Sequence, residues 1–377
     1  MGQIGNGNHR GYIAQNSLAV DSTTGQVLGL ANQVLHHRAD VSADETLAQK
    51  RVRESRESLL WLKGTEPLPQ DRKLIDVCDQ GADTFEFFEH ELNSGRRFVI
   101  RCAYDRGIVI GHDDPVDSDS SHLRTYARTL PVAGTWQLQV SSRAPNKSPT
   151  KKRRKGKKPP RERNARVSRI ANMAVSFAAV QIKPPRKKNG NHGNKPLKVW
   201  VIRVWETDPP AGQERLEWFL TTNEVVESFT AAYRVVGWYE KRWIVEEYHK
   251  GKKTGCQIES PQFTTEDRLQ PAIALISIIT LTLLEMRDAS RRGDATERLA
   301  TEVISEEYAQ VLSAWRHGKI RKDWTIHDFY LALARLGGHQ NRKGDHPPGW
   351  QTIWRGWNDL QAMVTGAEAM KKTQKCG

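Results

Sequence analysis

Cysteine is scarce in this chain: four in 377 residues (Cys78, Cys102, Cys256 and Cys376), with no C-x-x-C pair and no zinc-type set with histidine. A disulfide framework and a zinc module are therefore excluded as the basis of the fold, and a reduced, cytoplasmic protein is expected. No apolar core follows Met1, and M-G-Q-I-G-N-G-N-H-R-G does not read as a signal peptide. The longest apolar run, Pro271 to Leu284, is interrupted by Ser277, Thr280 and Thr282. It is shorter than a bilayer span, so a buried helix and no membrane partner are expected. There is no G-x-x-x-x-G-K-[ST] loop to hold a nucleoside triphosphate, and no internal repeat. Acids are the minority charge, 44 against 58 Lys and Arg, for a net +14 and a pI of about 9.6. That balance points to an anionic partner, nucleic acid first. The length allows two or three domains with a sizeable core.

What is present centres on Tyr239 to Lys253, Y-E-K-R-W-I-V-E-E-Y-H-K-G-K-K. On one helix, Tyr239, Arg242, Glu246, Lys250 and Lys253 share an arc of roughly 80°. Ile244, Val245 and Tyr248 fall opposite and can face a core, and Gly255 can end the helix. The plain reading is a solvated charge ladder, because Arg242, Glu246 and Lys250 are spaced i, i+4, i+8. The sharper reading is a carboxylate for a divalent metal, flanked by cations and a phenol for phosphates. A ladder has no need of Tyr239, or of Lys253 on the same stripe.

Tyr239, two residues, Arg242, three residues, Glu246, six residues, Lys253 is a full Y-R-E-K signature. It resembles that of bacterial insertion-sequence transposases of the IS-four group, the family of the transposon-five transposase. The wording Y-E-K-R-W-I-V-E-E-Y-H-K-G-K-K-T-G resembles it as well. The resemblance implies that Glu246 is the last carboxylate of a D-D-E triad. It also implies that the first aspartate lies in an Asp-Thr-Thr strand upstream of a G-x-I-G segment. This sequence begins at that segment, so an N-terminally truncated copy is expected, lacking that aspartate and the N-terminal DNA-binding domain. Asp21 is the nearest carboxylate, but it falls in a hairpin turn between strands expected over 11–20 and 27–36, an ordinary place for Asp.

Residues 44–63 read as one charged helix. Lys73 to Cys78 reads as a strand with Asp79 at its end, followed by a helix from Thr84. Asp83 and Glu86 fit a capping box there, which leaves Asp79 without a structural task. A strand-end carboxylate is where an α/β sheet places a metal ligand; a turn aspartate is the alternative. The wording V-C-D-x-x-A-D resembles the family's second aspartate, so Asp79 is taken as that ligand. Arg96 to Tyr104 is the next strand. Arg101 lies 22 residues after Asp79, the spacing of a DNA-contacting arginine in the family; a surface strand arginine is its alternative. Residues 105–222 read as an insertion of strands (135–140, 175–182, 199–205, 217–220). Its Lys147–Arg166 loop holds eleven Lys/Arg and one acid, Glu162. Such a run is a solvated segment or a phosphate-tracking arm. Trp218 lies 21 residues before Tyr239, as does a family tryptophan that stacks on a flipped base; a core strand tryptophan is its alternative. Helices follow at 266–288, 298–316 and 325–336. The block from Ala334, with Trp350, Trp354 and Trp357 at helical spacing, resembles the family's C-terminal dimerisation segment; a small local core is the other reading.

The expected architecture is α/β: an RNase-H-like core interrupted by a β-rich insertion, with a helical C-terminal region. Its parts are 1–104 (core, first strand missing), 105–222 (insertion), 223–258 (core helix with the signature) and 259–377 (helical, dimerisation-like). The resemblance implies a DNA transposase, cutting by phosphodiester hydrolysis and joining by strand transfer. Asp79 and Glu246 would be catalytic metal ligands for Mg²⁺ or Mn²⁺, and Tyr239, Arg242, Lys250, Lys253, Arg101 and Trp218 would contact DNA. Its partners would be double-stranded DNA, as transposon ends and target, and a second copy in a homodimer on a bacterial nucleoid. The alternative is an inactive DNA-binding or dimerising fragment that inhibits an intact transposase.

Overall fold

A computed structural model describes residues 1–4, 10–70, 73–112, 120–142, 166–186 and 190–375. The basic loop falls outside these, apart from Arg166. The chain opens with β1 (Gly2–Gln3), β2 (Arg10–Gly11), β3 (Ile13–Val20) and β4 (Val27–His36). Next come α1 (Leu47–Val52), α2 (Leu60–Thr65), β5 (Ile75–Cys78), α3 (Phe85–Asn93), β6 (Arg97–Arg101), β7 (Gly107–Ile110), β8 (Ser120–His122) and α4 (Leu123–Thr129). Four longer strands follow: β9 (Gly134–Val140), β10 (Arg169–Ile182), β11 (Leu197–Glu206) and β12 (Glu217–Thr222). The rest is helical: α5 (Phe229–Glu240), α6 (Trp243–Lys250), α7 (Glu266–Ala289), α8 (Glu306–His317), α9 (Ile326–Leu336) and α10 (Trp350–Lys375). The protein is thus mixed α/β. The described residues divide into two compact units. One comprises Met1, 14–35 and 243–377; the other comprises 2–13 and 36–242.

The 2–13/36–242 unit is built on an eight-stranded sheet in the order β5-β6-β12-β11-β10-β7-β8, with β9 also on β10. The strands within 105–222 therefore extend the same sheet that β5 and β6 begin. β5 and β6 run parallel, with Val77 opposite Val99 and Cys78 opposite Ile100. The return passes through α3, as a parallel pair requires a crossover. β10 and β11 read V-S-F-A-A-V-Q-I and K-V-W-V-I-R-V-W, and both faces of β11 are buried from Val201 to Glu206. Central strands covered on both sides have that near-continuous apolar pattern. One face packs on Phe85, Phe87 and Phe88 of α3 and on Leu123 of α4. The other packs on Ala232, Val235 and Val236 of α5. α3 starts where the Thr84 hydroxyl accepts from Phe87 N, and Gly95, at φ +66°, ends it.

In the other unit, the β3–β4 hairpin is as expected, and Asp21 makes its turn by accepting from Thr23 N and Thr24 N. Val27 joins a core with Tyr248, Leu283, Phe329, Trp350, Trp357 and Leu360. Trp350, Trp354 and Trp357 thus pack inward, as a local core. α7 differs from expectation. At 24 residues it is long and apolar enough, by length and composition, to cross a membrane, although a third of its apolar window is buried in the protein. Its inner face is Ile273, Ser277, Thr280, Leu283 and Leu284, and the hydroxyls return to the helix carbonyls of Ile273 and Ile276. Back in the sheet-based unit, the single helix expected at 44–63 is broken: α1 ends at Arg53 in an extended conformation, and a 3₁₀ turn leads into α2. The break lets Arg56 reach inward to Glu86, with which it forms a bidentate pair at 2.8 and 2.7 Å.

Candidate nucleic-acid site

The stretch Tyr239 to Lys253 is not one helix. α5 ends at Glu240, and Lys241 N and Arg242 N bond back three residues, to Trp238 O and Tyr239 O. This tightens the chain by a turn and restarts it as α6 at Trp243. A second departure follows Lys250: Gly251–Gly255 forms a π-helical turn. The shared arc of five side chains therefore does not exist as a helical face. Tyr239 and Arg242 belong to the sheet-based unit, and Glu246, Lys250 and Lys253 to the helical one.

In the sheet-based unit, four of the expected residues come together. Asp79 follows the end of β5, and Arg101 ends β6. Arg101, Arg242 and Asp79 all lie within electrostatic reach of the Tyr239 hydroxyl. Burial raises the Tyr239 pKa, against the two arginines, and Asp79 adds to the rise. The phenol keeps its proton at neutral pH and remains a donor. Asp79 does have a local task, contrary to expectation. Its Oδ1 accepts from Gly81 N at 2.7 Å and caps the 3₁₀ turn Gln80–Ala82. Its Oδ2 receives no hydrogen bond from the described residues. Trp218, partly buried, packs against the same α5-side core as Trp238 and Tyr239, and its buried indole N–H has no acceptor among the described residues.

Asp83 is not a helix cap; Thr84 does that work, and Glu86 is taken by Arg56. Asp83 instead accepts from Ala103 N (2.6 Å), Tyr104 N (3.0 Å) and Arg106 Nε (2.8 Å). It thereby fixes the loop that leaves β6. Sequence alone pointed to the neighbouring helix start, and the loop lies twenty residues further on.

No family model matches the chain. Among the described residues there is no group of three or more His, Cys, Asp or Glu able to hold a metal ion. Asp79 offers one hard oxygen donor, but no complete ligand set is assembled among the described residues.

In the helical unit, α6 buries Tyr248 as expected, and its hydroxyl donates to Ser277 O at 3.2 Å. Of the two adjacent glutamates, Glu247 is the structural one. Arg287 donates to it at 2.6 Å and Trp350 Nε1 at 3.4 Å, and Lys250 pairs with it at 3.9 Å. Burial opposes its charge, but these partners prevail and hold its carboxyl below the usual range. Lys250 thus answers to Glu247 rather than to the expected ladder. Lys253 is exposed and pairs with Glu259 at 3.3 Å. The π turn sends Lys252 the other way. It is only 4% exposed, its Nζ finds no acceptor among the described residues, and it sits 5.4 Å from the Tyr248 ring centroid. Burial lowers its pKa to about 8. Gly251 permits the turn, since a Cβ there would meet Thr280 at 2.9 Å and Trp350 at 3.1 Å. In the sequence Lys252 is one more cation of a basic run, with no mark of its burial.

Proposed function

We propose that the chain is a DNA transposase-like protein that grips strand phosphates for phosphodiester cleavage and strand transfer. The observation that carries this reading is the Asp79, Arg101, Tyr239 and Arg242 cluster at the ends of β5, β6 and α5. Two guanidiniums and a protonated phenol are a phosphate grip: the arginines supply fixed positive charge and directed donors. The positive charge of Arg101 and Arg242 beside the Tyr239 hydroxyl favours the phenol as a donor to an anion. The Y-R-E-K spacing adds Glu246, Lys250 and Lys253 to the same reading, and an RNase-H-like core is the fold it entails. The net charge of +14 supplies the long-range attraction to DNA. By the Y-R-E-K resemblance, Asp79 and Glu246 would be among the ligands of Mg²⁺ or Mn²⁺, a Lewis acid for phosphodiester chemistry. A homodimer on transposon ends and target DNA, and Trp218 as a base-stacking residue, belong to the same proposal.

The absence of a three-acid cluster among the described residues favours one second reading. In it, the chain binds DNA or an intact transposase without cutting. Nicking of a supercoiled plasmid in Mg²⁺ separates the two. The expected result is nicking that falls at least a hundredfold in Glu246→Gln while DNA affinity is kept. DNA binding with no nicking by the wild-type chain would sink the enzyme and leave the binding fragment.

A further inference from the structure

Tyr104 is 63% exposed, three residues beyond Arg101. Exposure alone is ordinary for a tyrosine. What sets this one apart is how firmly its backbone is held. Buried Asp83 accepts from the N–H groups of both Ala103 and Tyr104. Arg124 Nη2 donates to the carbonyls of Cys102 (3.0 Å) and Ala103 (2.8 Å) from the other side. Gln80, the residue after Asp79, donates from Nε2 to Cys102 O at 3.1 Å, which ties this loop to the strand-end aspartate. Asp105 accepts from Arg124 N at 2.7 Å. Within the same ion pair, Arg106 is fixed by Asp83, and its guanidinium lies 5.3 Å from the Tyr104 ring centroid. No other aromatic ring among the described residues packs on Tyr104.

A firmly held loop thus presents one largely exposed aromatic ring with a guanidinium over it. Three residues span at most about 11 Å, so the Arg101 and Tyr104 backbones are no further apart than one nucleotide and its base can extend. We infer that Tyr104 is a stacking platform for an unpaired base of the strand gripped by Arg101, Tyr239 and Arg242. The inference rests on the phosphate-grip reading and adds to it the form of DNA the site prefers. Stacking on an aromatic ring is tolerant of base identity because every base has a π face. The neighbouring Arg106 adds positive charge beside the stack. A fully paired base would gain nothing, because its faces are already covered.

The test compares binding of two labelled DNAs by the full chain: a perfect duplex and the same duplex with one unpaired 2-aminopurine. The wild type should bind the second more tightly and quench its fluorescence. Tyr104→Ala should weaken that binding roughly tenfold and reduce the quench, leaving the perfect duplex unaffected. Tyr104→Trp should restore both. Equal loss on both DNAs, or a quench unchanged in Tyr104→Ala, overturns the platform while leaving the phosphate grip intact. Failure of the wild type to bind either DNA overturns the grip and the platform together. A circular dichroism melt of Tyr104→Ala matching the wild type excludes misfolding as the cause of any loss.

Discussion

A proton is stored in the sheet-based unit at two carboxyls of neighbouring elements, Asp76 on β5 and Glu91 on α3. Glu91 is fully buried, accepts from the Thr65 hydroxyl at 2.9 Å, and lies within electrostatic reach of the Asp76 carboxyl. Its Oε2 has no hydrogen-bond partner among the described residues, so a charge there would go unmatched and a proton is favoured. Burial, reinforced by the Asp76 charge, pushes Glu91 up from 4.5 to about 8, and burial raises Asp76 too. The folded state therefore holds a proton that the unfolded chain releases above pH 4.5. The contribution is complete below about pH 4.5 and is lost as pH rises through about 8. Between pH 5 and 7 this pair should lower stability by roughly 3 kcal/mol, at 1.36 kcal/mol per pH unit. Urea melts at both pH values test it. Glu91→Gln, which has no carboxyl to titrate, should flatten that part of the dependence; an unchanged slope would rule the stored proton out. Nothing in F-E-F-F-E-H-E-L marks Glu91 for this. Its neighbours Glu86 and Glu89 look the same in sequence, and only the fold separates them. Asp79, Arg101, Tyr239 and Arg242 were by contrast legible as residues, because strand-end position and spacing survive in one dimension.

Elements were legible where periodicity alone decides them. The hairpin, β5, β6, β9 to β12, α7 and α9 are close to where alternation and helical spacing put them, whereas α8 starts at Glu306 rather than 298 and β7, β8 and α4 were not expected. The breaks were not legible. Lys241, Arg242 and Trp243 are tolerable helix residues with no local stop signal, and the chain turns there as it passes from one unit to the other. The π turn is equally silent, since Gly251 and Gly255 read as an ordinary helix end. One element-scale feature inverts a propensity rule. Gly356, inside α10, would lose about 1 kcal/mol of helix stability relative to Ala. A Cβ there, however, would stand 2.0 Å from Leu333 O of α9, and one at Gly337 would stand 1.9 Å from Thr352 O. The two helices meet backbone to backbone, and neither carbonyl is a flexible tip that can move aside. Gly356→Ala should therefore destabilise by about 1–3 kcal/mol, as overpacking does. A thermal melt decides it: a raised Tm would mean that α9 and α10 do not approach this closely.

At the scale of the molecule, neither unit is a continuous piece of chain. Segment 14–35 returns to the unit formed by 243–377. There Val27 enters the core, and Gln33 donates to Ser277 Oγ at 2.8 Å and to Asn16 Oδ1 at 2.7 Å. Residues 243–377 alone should then expose apolar surface, bind a hydrophobic dye and melt without cooperativity. Joining 14–35 to them through a flexible linker should restore a cooperative transition. An equally sharp transition without the hairpin would contradict this. The interleaving also constrains descent. No single crossover between two related genes can exchange one whole unit, because a cut anywhere separates some part of one from the rest. The passage after Arg242 divides the signature itself between the units, with Tyr239 and Arg242 upstream and Glu246 downstream. Exchanging a whole unit takes more than one crossover, and a single crossover after Arg242 would join one gene's Tyr239 and Arg242 to the other's Glu246.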